Sequence, residues 1–179
     1  MSGKNDIHPY VILARETVRR CLNGEAPLGA GAEICPDESL WTPKRACFVS
    51  IKGRHGELRG CIGTISPVQP SIDREILANA ISASTRDPRF DPMTADELDS
   101  AVFSVDVLSE PEQIQDLSLL DPAKWGVIVS SGFRRGVLLP DLDGVDTVEA
   151  QLDIAARKAG IRDVGSASIE RFSVDRYRE

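Results

Sequence analysis

The sequence predicts an α+β fold, with antiparallel β-sheet flanked by helices in a single domain that has room for two lobes. Three observations carry this expectation. Apolar residues recur at helical spacing over 8–23, 71–85 and 147–159. Two pairs of β-rich runs are joined by short turn-forming loops, Gly53-Arg54-His55-Gly56 and Ser131-Gly132-Phe133-Arg134-Arg135, which is the pattern of hairpins rather than parallel crossovers. A length of 179 residues, 41% hydrophobic and 27% charged, suffices for one sizeable core.

The first helix spans His8 to Asn23, with Val11, Ala14, Val18, Cys21 and Leu22 on one face and Asn23-Gly24 as its stop. Residues 24–44 hold Pro27, Gly29, Gly31, Pro36 and Pro43, which leaves a long loop with a short extended piece at Ala32–Cys35 and Trp41 as its anchor. Ala46–Lys52 is a strand, and the four-residue turn returns the chain into a second strand at Glu57–Ile65. This pairing brings Ser50 or its neighbours near Arg59 and can bring Cys47 near Cys61. Ser71 caps a helix that runs to Thr85, with Ile72, Ile76, Leu77, Ala80 and Ala83 inward and Asp73 and Glu75 in the first turn.

Thr94-Ala95-Asp96-Glu97 has the form of a capping box and starts one helical turn. Ala101–Leu108 is a long central strand, followed by a link over 110–120 and a short turn at Asp121-Pro122. Gly126–Ser130 and Gly136–Leu139 form the second hairpin. Pro140-Asp141-Leu142-Asp143-Gly144 is an acidic turn without the spacing of a calcium loop. A last helix runs from a capping sequence at Asp146–Glu149 to Lys158 or Ala159, with Gly160 as its stop, and Ile169–Tyr177 is a late strand. No repeat or linker interrupts the chain. It is expected to be one domain over 1–179: a helix and irregular segment over 1–45, then the main body over 46–175.

A net charge of −7 argues against a protein that coats nucleic acid, although arginines gather at 54, 59, 74, 86 and 89. No run approaches the roughly eighteen apolar residues of a membrane span, and Met1–Asp6 lacks an apolar signal core, so a soluble cytoplasmic location is expected. Cys21, Cys35, Cys47 and Cys61 show no C-x-x-C spacing and read as reduced thiols. With only His8 and His55 besides, neither a metal site nor a cofactor is expected.

The informative stretch is Leu58-Arg59-Gly60-Cys61-Ile62-Gly63-Thr64. Glycine within a strand is disfavoured unless a ligand or another backbone approaches closely. Arg59 and Cys61 share a face by strand alternation, so a guanidinium beside a thiol, with glycine-exposed N–H groups, suits an anion site or an activated thiol. The alternative is that Cys61 is a small packing residue. Arg86-Asp87-Pro88-Arg89-Phe90-Asp91-Pro92, stiffened by its prolines, reads either as a solvated, salt-bridged loop or as a polar ligand site.

Taken together, Leu58–Thr64, Arg86–Phe90 with Pro92 and Glu97-Leu98, the strand ending Ser104–Ser109, Gly136–Pro140 and Lys158-Ala159-Gly160 resemble the AMMECR-type domain family. Its prokaryotic members are called system protein A of the AmmeMemoRadiSam group. The resemblance covers roughly residues 46–175. It implies two unequal subdomains around antiparallel sheet, no established activity, and association with a MEMO-like protein and a radical-SAM enzyme. Carried over by position, it draws attention to Arg59, Gly60, Cys61, Gly63, Thr64, Asp87, Arg89 and Phe90. Trp125 stands where many relatives have histidine before Gly126, which puts in doubt any mechanism that needs that histidine.

Three functional readings follow. In the first, Cys61 is a nucleophile, with Arg59 lowering its pKa and glycine-exposed N–H groups stabilising an oxyanion. Against it, the chain shows no evident general base, His55 lying six residues away across a turn. In the second, Arg59, Arg86 and Arg89 hold a phosphate, carboxylate or nucleotide-like anion. In the third, the protein is an accessory component that docks the MEMO-like or radical-SAM partner. The second and third together are favoured.

Overall fold

A computed structural model describes residues 7–179. Among them are four α-helices and two four-stranded antiparallel sheets, an α+β fold. The chain divides into two compact units, one comprising residues up to Val107 with Arg176–Glu179, the other Leu108–Asp175. None of the described helices is long and apolar enough to cross a membrane. The expectation that Met1–Asp6 lacks an apolar signal core concerns residues 1–6, which lie outside the described residues.

In the first unit, helix α1 (Pro9–Leu22) begins where Pro9 sets the first helical φ and His8 caps Tyr10 N–H. Asn23 and Gly24, with φ +67°, end it. Val11, Leu13, Ala14 and Val18 are fully buried. The segment that follows has 3₁₀ turns at Gly31–Glu33 and Glu38–Leu40, so the extended piece expected at Ala32–Cys35 does not form. The reason is Trp41. Its ring lies where a Cβ on Gly31 would stand, and its Nε1 donates to the Cys35 carbonyl at 2.8 Å, which curls the chain around the indole.

Strands β1 (Cys47–Lys52) and β2 (Leu58–Gly63) form the expected hairpin, and β3 (Val102–Leu108) pairs with the other side of β1. With β8 (Val174–Arg178) the order is β2-β1-β3-β8, so β2 lies at an edge. Cys47, Val49 and Ile51 point to a core closed by α1 and by α2 (Ile72–Thr85). Gly60 makes the approach of α2 possible, because a Cβ there would overlap the Ala83 carbonyl oxygen. A short helix α3 (Ala95–Leu98) carries the predicted capping box, with Glu97 Oε2 accepting Thr94 N–H at 2.8 Å.

In the second unit the order is β4-β7-β5-β6: β4 (Glu112–Ile114), β7 (Ser168–Phe172), β5 (Gly126–Ser131) and β6 (Arg134–Leu138). Strand β4 occupies what sequence reading takes as a link. The β5–β6 connection is tighter than the expected five residues. Gly132 adopts φ +59° and Gly132-Phe133 make a two-residue turn. Helix α4 (Val148–Lys158) is capped by Thr147, which accepts Ala150 N–H, and stops at Gly160 with φ +66°. It presses onto β6 at Gly136, where a Cβ would overlap the Ala155 carbonyl.

The single late strand expected over 169–177 is two strands. Ser173 exchanges hydrogen bonds with Ser109, its N–H donating to Ser109 Oγ and its carbonyl accepting Ser109 N–H, both at 2.9 Å. This breaks the ladder, so β7 belongs to one sheet and β8 to the other.

Candidate functional site

The β1–β2 register fixes the neighbours of Cys61. Ser50 stands directly opposite it, and on the other side Ser50 faces Ser104 of β3. Directly opposite residues share a face, so a row of thiol, hydroxyl and hydroxyl crosses three strands on the side away from α2. All three residues are half-buried. Ser50 Oγ donates to Cys61 Sγ at 3.1 Å. The next row holds Gly63, Phe48 and Asp106. The Phe48 ring fills the space a Cβ on Gly63 would take, and Arg176 Nε donates to Asp106 at 2.8 Å.

Cys47 is not near Cys61. It faces Val107 inside the core, hydrogen-bonded by Asn79, where burial pushes its thiol up to about 12.

The backbone of Cys61 points out from the sheet edge, and the 86–92 loop meets it there. Asp87 Oδ2 accepts Cys61 N–H at 2.9 Å, and Arg89 Nη2 donates to the Cys61 carbonyl at 3.1 Å. Asp87 and Arg89 are themselves paired at 2.7 Å. An antiparallel ladder leaves alternate residues of an edge strand without partners, and at Cys61 this aspartate–arginine pair takes the place of a further strand. The Asp87 side chain is 2% exposed and that of Arg89 is 53% exposed. The Arg89 guanidinium, its largest influence, together with the Cys61 and Arg89 N–H groups, holds the Asp87 carboxyl far below the usual carboxylate range despite burial. Phe90 lies beneath the same guanidinium, its ring centroid 5.3 Å from Arg89 Cζ. Arg86 is exposed.

Arg59 does not sit against the thiol. The register slips between Ile51 and Lys52, leaving Arg59 unpaired in the ladder, and alternation across such a bulge no longer predicts its neighbours. Its Nε donates to Glu97 Oε1 at 2.6 Å and its Nη1 to the Asp91 carbonyl at 2.8 Å. The arginine bonded to residue 61 is Arg89, from 28 residues further along the chain. Nor do the glycines expose a donor at Cys61, since Asp87 takes its N–H and Gly60 serves the approach of α2. His55 is exposed in the hairpin turn, its N–H bound to Glu57. Thr64 donates its hydroxyl to Glu75, which also accepts Val68 N–H at 3.0 Å and Gln69 N–H at 2.8 Å.

Sequence reasoning singled out Cys61, Asp87 and Arg89 in two separate motifs, which the structure brings together, and missed Ser50 as the thiol's partner, Ser104, Glu75 and Glu97. Glu97 carried a signal, its capping-box position, but nothing local in the sequence tied it to Arg59. Among the described residues no group of three or more His, Cys, Asp or Glu is placed to hold a metal ion.

Comparison with known proteins places this geometry among relatives. The AMMECR1 family matches residues 11–178. A protein of Thermotoga maritima is 48% identical over 176 residues, covering 96% of this chain and 98% of its own length. A protein of Clostridium acetobutylicum is also 48% identical, over 181 residues, but the match spans only 37% of its length. The crystal structure of the uncharacterized protein PH0010 from Pyrococcus horikoshii superposes with a TM-score of 0.84 at 26% identity, covering 95% of this chain and 89% of that one. The match over nearly the whole length makes the assignment plain: the chain belongs to the AMMECR1 family.

Proposed function

We propose that this protein is a binding or accessory component of a modification pathway with MEMO-like and radical-SAM partners. Its recognition surface in this reading is the Cys61–Ser50–Ser104 row and the adjoining Asp87–Arg89 edge. The observation that carries the reading is that the two arginines nearest the Cys61 strand, Arg59 and Arg89, are already matched, Arg59 by Glu97 and Arg89 by Asp87. A thiol nucleophile needs a base or an unspent cation to form its thiolate. Here its side-chain hydrogen-bond partner is the neutral Ser50 hydroxyl, and the guanidinium that also acts on the thiol, Arg89, is held first of all by Asp87. Matched charges and a half-buried polar row instead suit a rigid surface for recognition, with the outer edge of Arg89 and exposed Arg86 left to meet an anionic group on a ligand.

The test is binding of purified MEMO-like and radical-SAM proteins of the same organism, measured by calorimetry with wild type and Ser104→Tyr. The tyrosine fills the row from a half-buried position, and circular dichroism checks that the variant folds. Binding that weakens about tenfold or more supports the reading, that being the effect of losing one good interfacial contact. Failure of both proteins to bind wild type, or equal binding by the folded variant, overturns it.

One observation favours a second reading, in which Cys61 acts as a nucleophile on a small anionic or nucleotide-like substrate: the residue is half-buried rather than sealed, with a hydroxyl 3.1 Å from its sulfur. Alkylation by iodoacetamide against pH, followed at Cys61 by mass spectrometry with Cys61→Ser as the blank, separates the two. An apparent pKa well below the free-thiol value of about 8.5 supports the nucleophile. A thiol that reacts only on unfolding leaves recognition as the role of this surface.

A further inference from the structure

The second unit contains a cavity of about 780 Å³ lined by Arg134, Arg157, Ala159, Gly160, Ile161 and Arg162. Three arginines converge on one concavity in a chain whose net charge is −7. They come from different elements: Arg134 opens β6, Arg157 is in the last turn of α4, and Arg162 follows that helix.

The ordinary explanation for cations here is completion of the helix C-terminus, which carries partial negative charge and unpaired carbonyls. The backbone already does much of that work. Ala159 N–H donates to the Ala156 carbonyl, Gly160 N–H to that of Arg157 and Ile161 N–H to that of Ala156, with Gly160 in the left-handed region. Arg134 adds a bond to the Gly160 carbonyl at 2.8 Å, and Arg157 Nε makes only a long contact of 3.4 Å to the Asp153 carbonyl. Among the described residues none of the three pairs with a carboxylate, although neighbouring Arg135 pairs with Glu170 and Arg171 with Glu112. The unit therefore matches its other arginines with acids and leaves unmatched the three that share a cavity. Like charges gathered without counterions repel one another, and an anion relieves that repulsion while meeting several guanidinium donors at once.

We propose that this cavity is a binding site for a multiply charged phosphoryl anion, held by Arg134, Arg157 and Arg162. Its volume admits a phosphate ester with its organic part. Phe133, fully exposed in the turn beside Arg134, is an aromatic surface adjacent in sequence to the first of the three arginines. This site shares no residue with the Cys61 surface and does not depend on its role.

The test is calorimetric titration of the full chain with pyrophosphate and with ADP, both without added metal, at low and at physiological salt. Wild type is compared with Arg157→Ala/Arg162→Ala, two exposed positions whose loss leaves the helix stop intact, and folding is confirmed by circular dichroism. The expected result is saturable binding that weakens with salt and falls at least about tenfold in the double variant, as for loss of charge-assisted bonds. Equal affinity for the two probes assigns recognition to the phosphates alone, and tighter ADP binding that Phe133→Ala removes adds the nucleoside; either supports the site. No saturable binding of either probe, or binding unchanged in the double variant, overturns it.

Discussion

The Asp87 carboxylate accepts the backbone N–H of Cys61 at 2.9 Å while its partner Arg89 donates to the carbonyl of the same residue. One ion pair thus caps both exposed polar groups of a single residue on an edge strand. Because Cys61 pairs with Ser50 without backbone bonds between them, its side chain is brought close to the serine hydroxyl at the same place. The position of the thiol is set from both sides.

Replacing Asp87 should therefore destabilise the first unit and loosen Cys61. Asp87→Asn keeps the shape and an acceptor but loses the ion pair, and is expected to cost about 1–2 kcal/mol; Asp87→Ala also leaves the Cys61 N–H uncapped and is expected to cost about 2–4 kcal/mol. Urea unfolding measures both. If both variants lie within about 0.5 kcal/mol of wild type, the range of an ordinary surface change, the clamp does not contribute as described.

Much of this was legible in the sequence, and the failures have physical causes. Helices α1, α2 and α4 and both hairpins follow from periodicity and turn residues, which act within a few positions along the chain. The late strand was read as one because alternation from Ile169 to Tyr177 continues across Ser173, while the break is made by Ser109, remote in sequence. Arg59 was placed beside the thiol by a period-2 rule that fails at a bulge, and neither the bulge nor the Glu97 partner has a local signature. The site motifs were visible as unusual residues in a strand and a loop. Their use, Gly60 for α2 and Asp87 for a backbone amide, depends on contacts that only the fold creates.

Gly60→Ala should be among the most damaging single-methyl additions in the first unit. The new Cβ would meet the Ala83 carbonyl oxygen, which is helix backbone and cannot swing aside as a side chain can. Overpacking of this kind costs about 1–3 kcal/mol or more. Gly56→Ala is the control: its φ of +81° is strained for alanine but the space around it is open, so a cost of about 1 kcal/mol is expected. Thermal melts of the pair decide the matter, and Gly60→Ala melting as high as Gly56→Ala would contradict the close approach of α2.

Glu75 is 1% exposed and gathers the Thr64 hydroxyl and the N–H groups of Val68 and Gln69. A carboxylate can accept all of these, whereas the amide of glutamine must turn an NH₂ towards one or more donors. Glu75→Gln should cost about 1–3 kcal/mol and speed amide exchange at Val68 and Gln69 ahead of the rest of the unit. Uniform exchange across the unit would show instead that the loss is global and that Glu75 does not anchor this loop.

Acid stability should depend on Glu97. Its side-chain bonds to Arg59, the largest influence, and its bonds from Thr94 hold its carboxyl at about 2, below the ordinary 4.5. A group with a lower pKa folded than unfolded stabilises the fold when deprotonated. The contribution of Glu97 is therefore fully present above its unfolded value of 4.5 and is lost as pH falls towards about 2. Glu16, held at about 2 chiefly by its bonds to Arg19, adds to the loss over the same window, and Asp87, lower still, continues it. Wild type should accordingly show a melting temperature that climbs from pH 2 to pH 5 and then levels off, and Glu97→Gln should flatten part of that climb while lowering the plateau. Melts of the two proteins at pH 3 and pH 7 are sufficient. The gap between them should be wider at pH 7, and a gap of the same size at both values would mean that the Arg59–Glu97 pair is not the source of the depressed carboxyl.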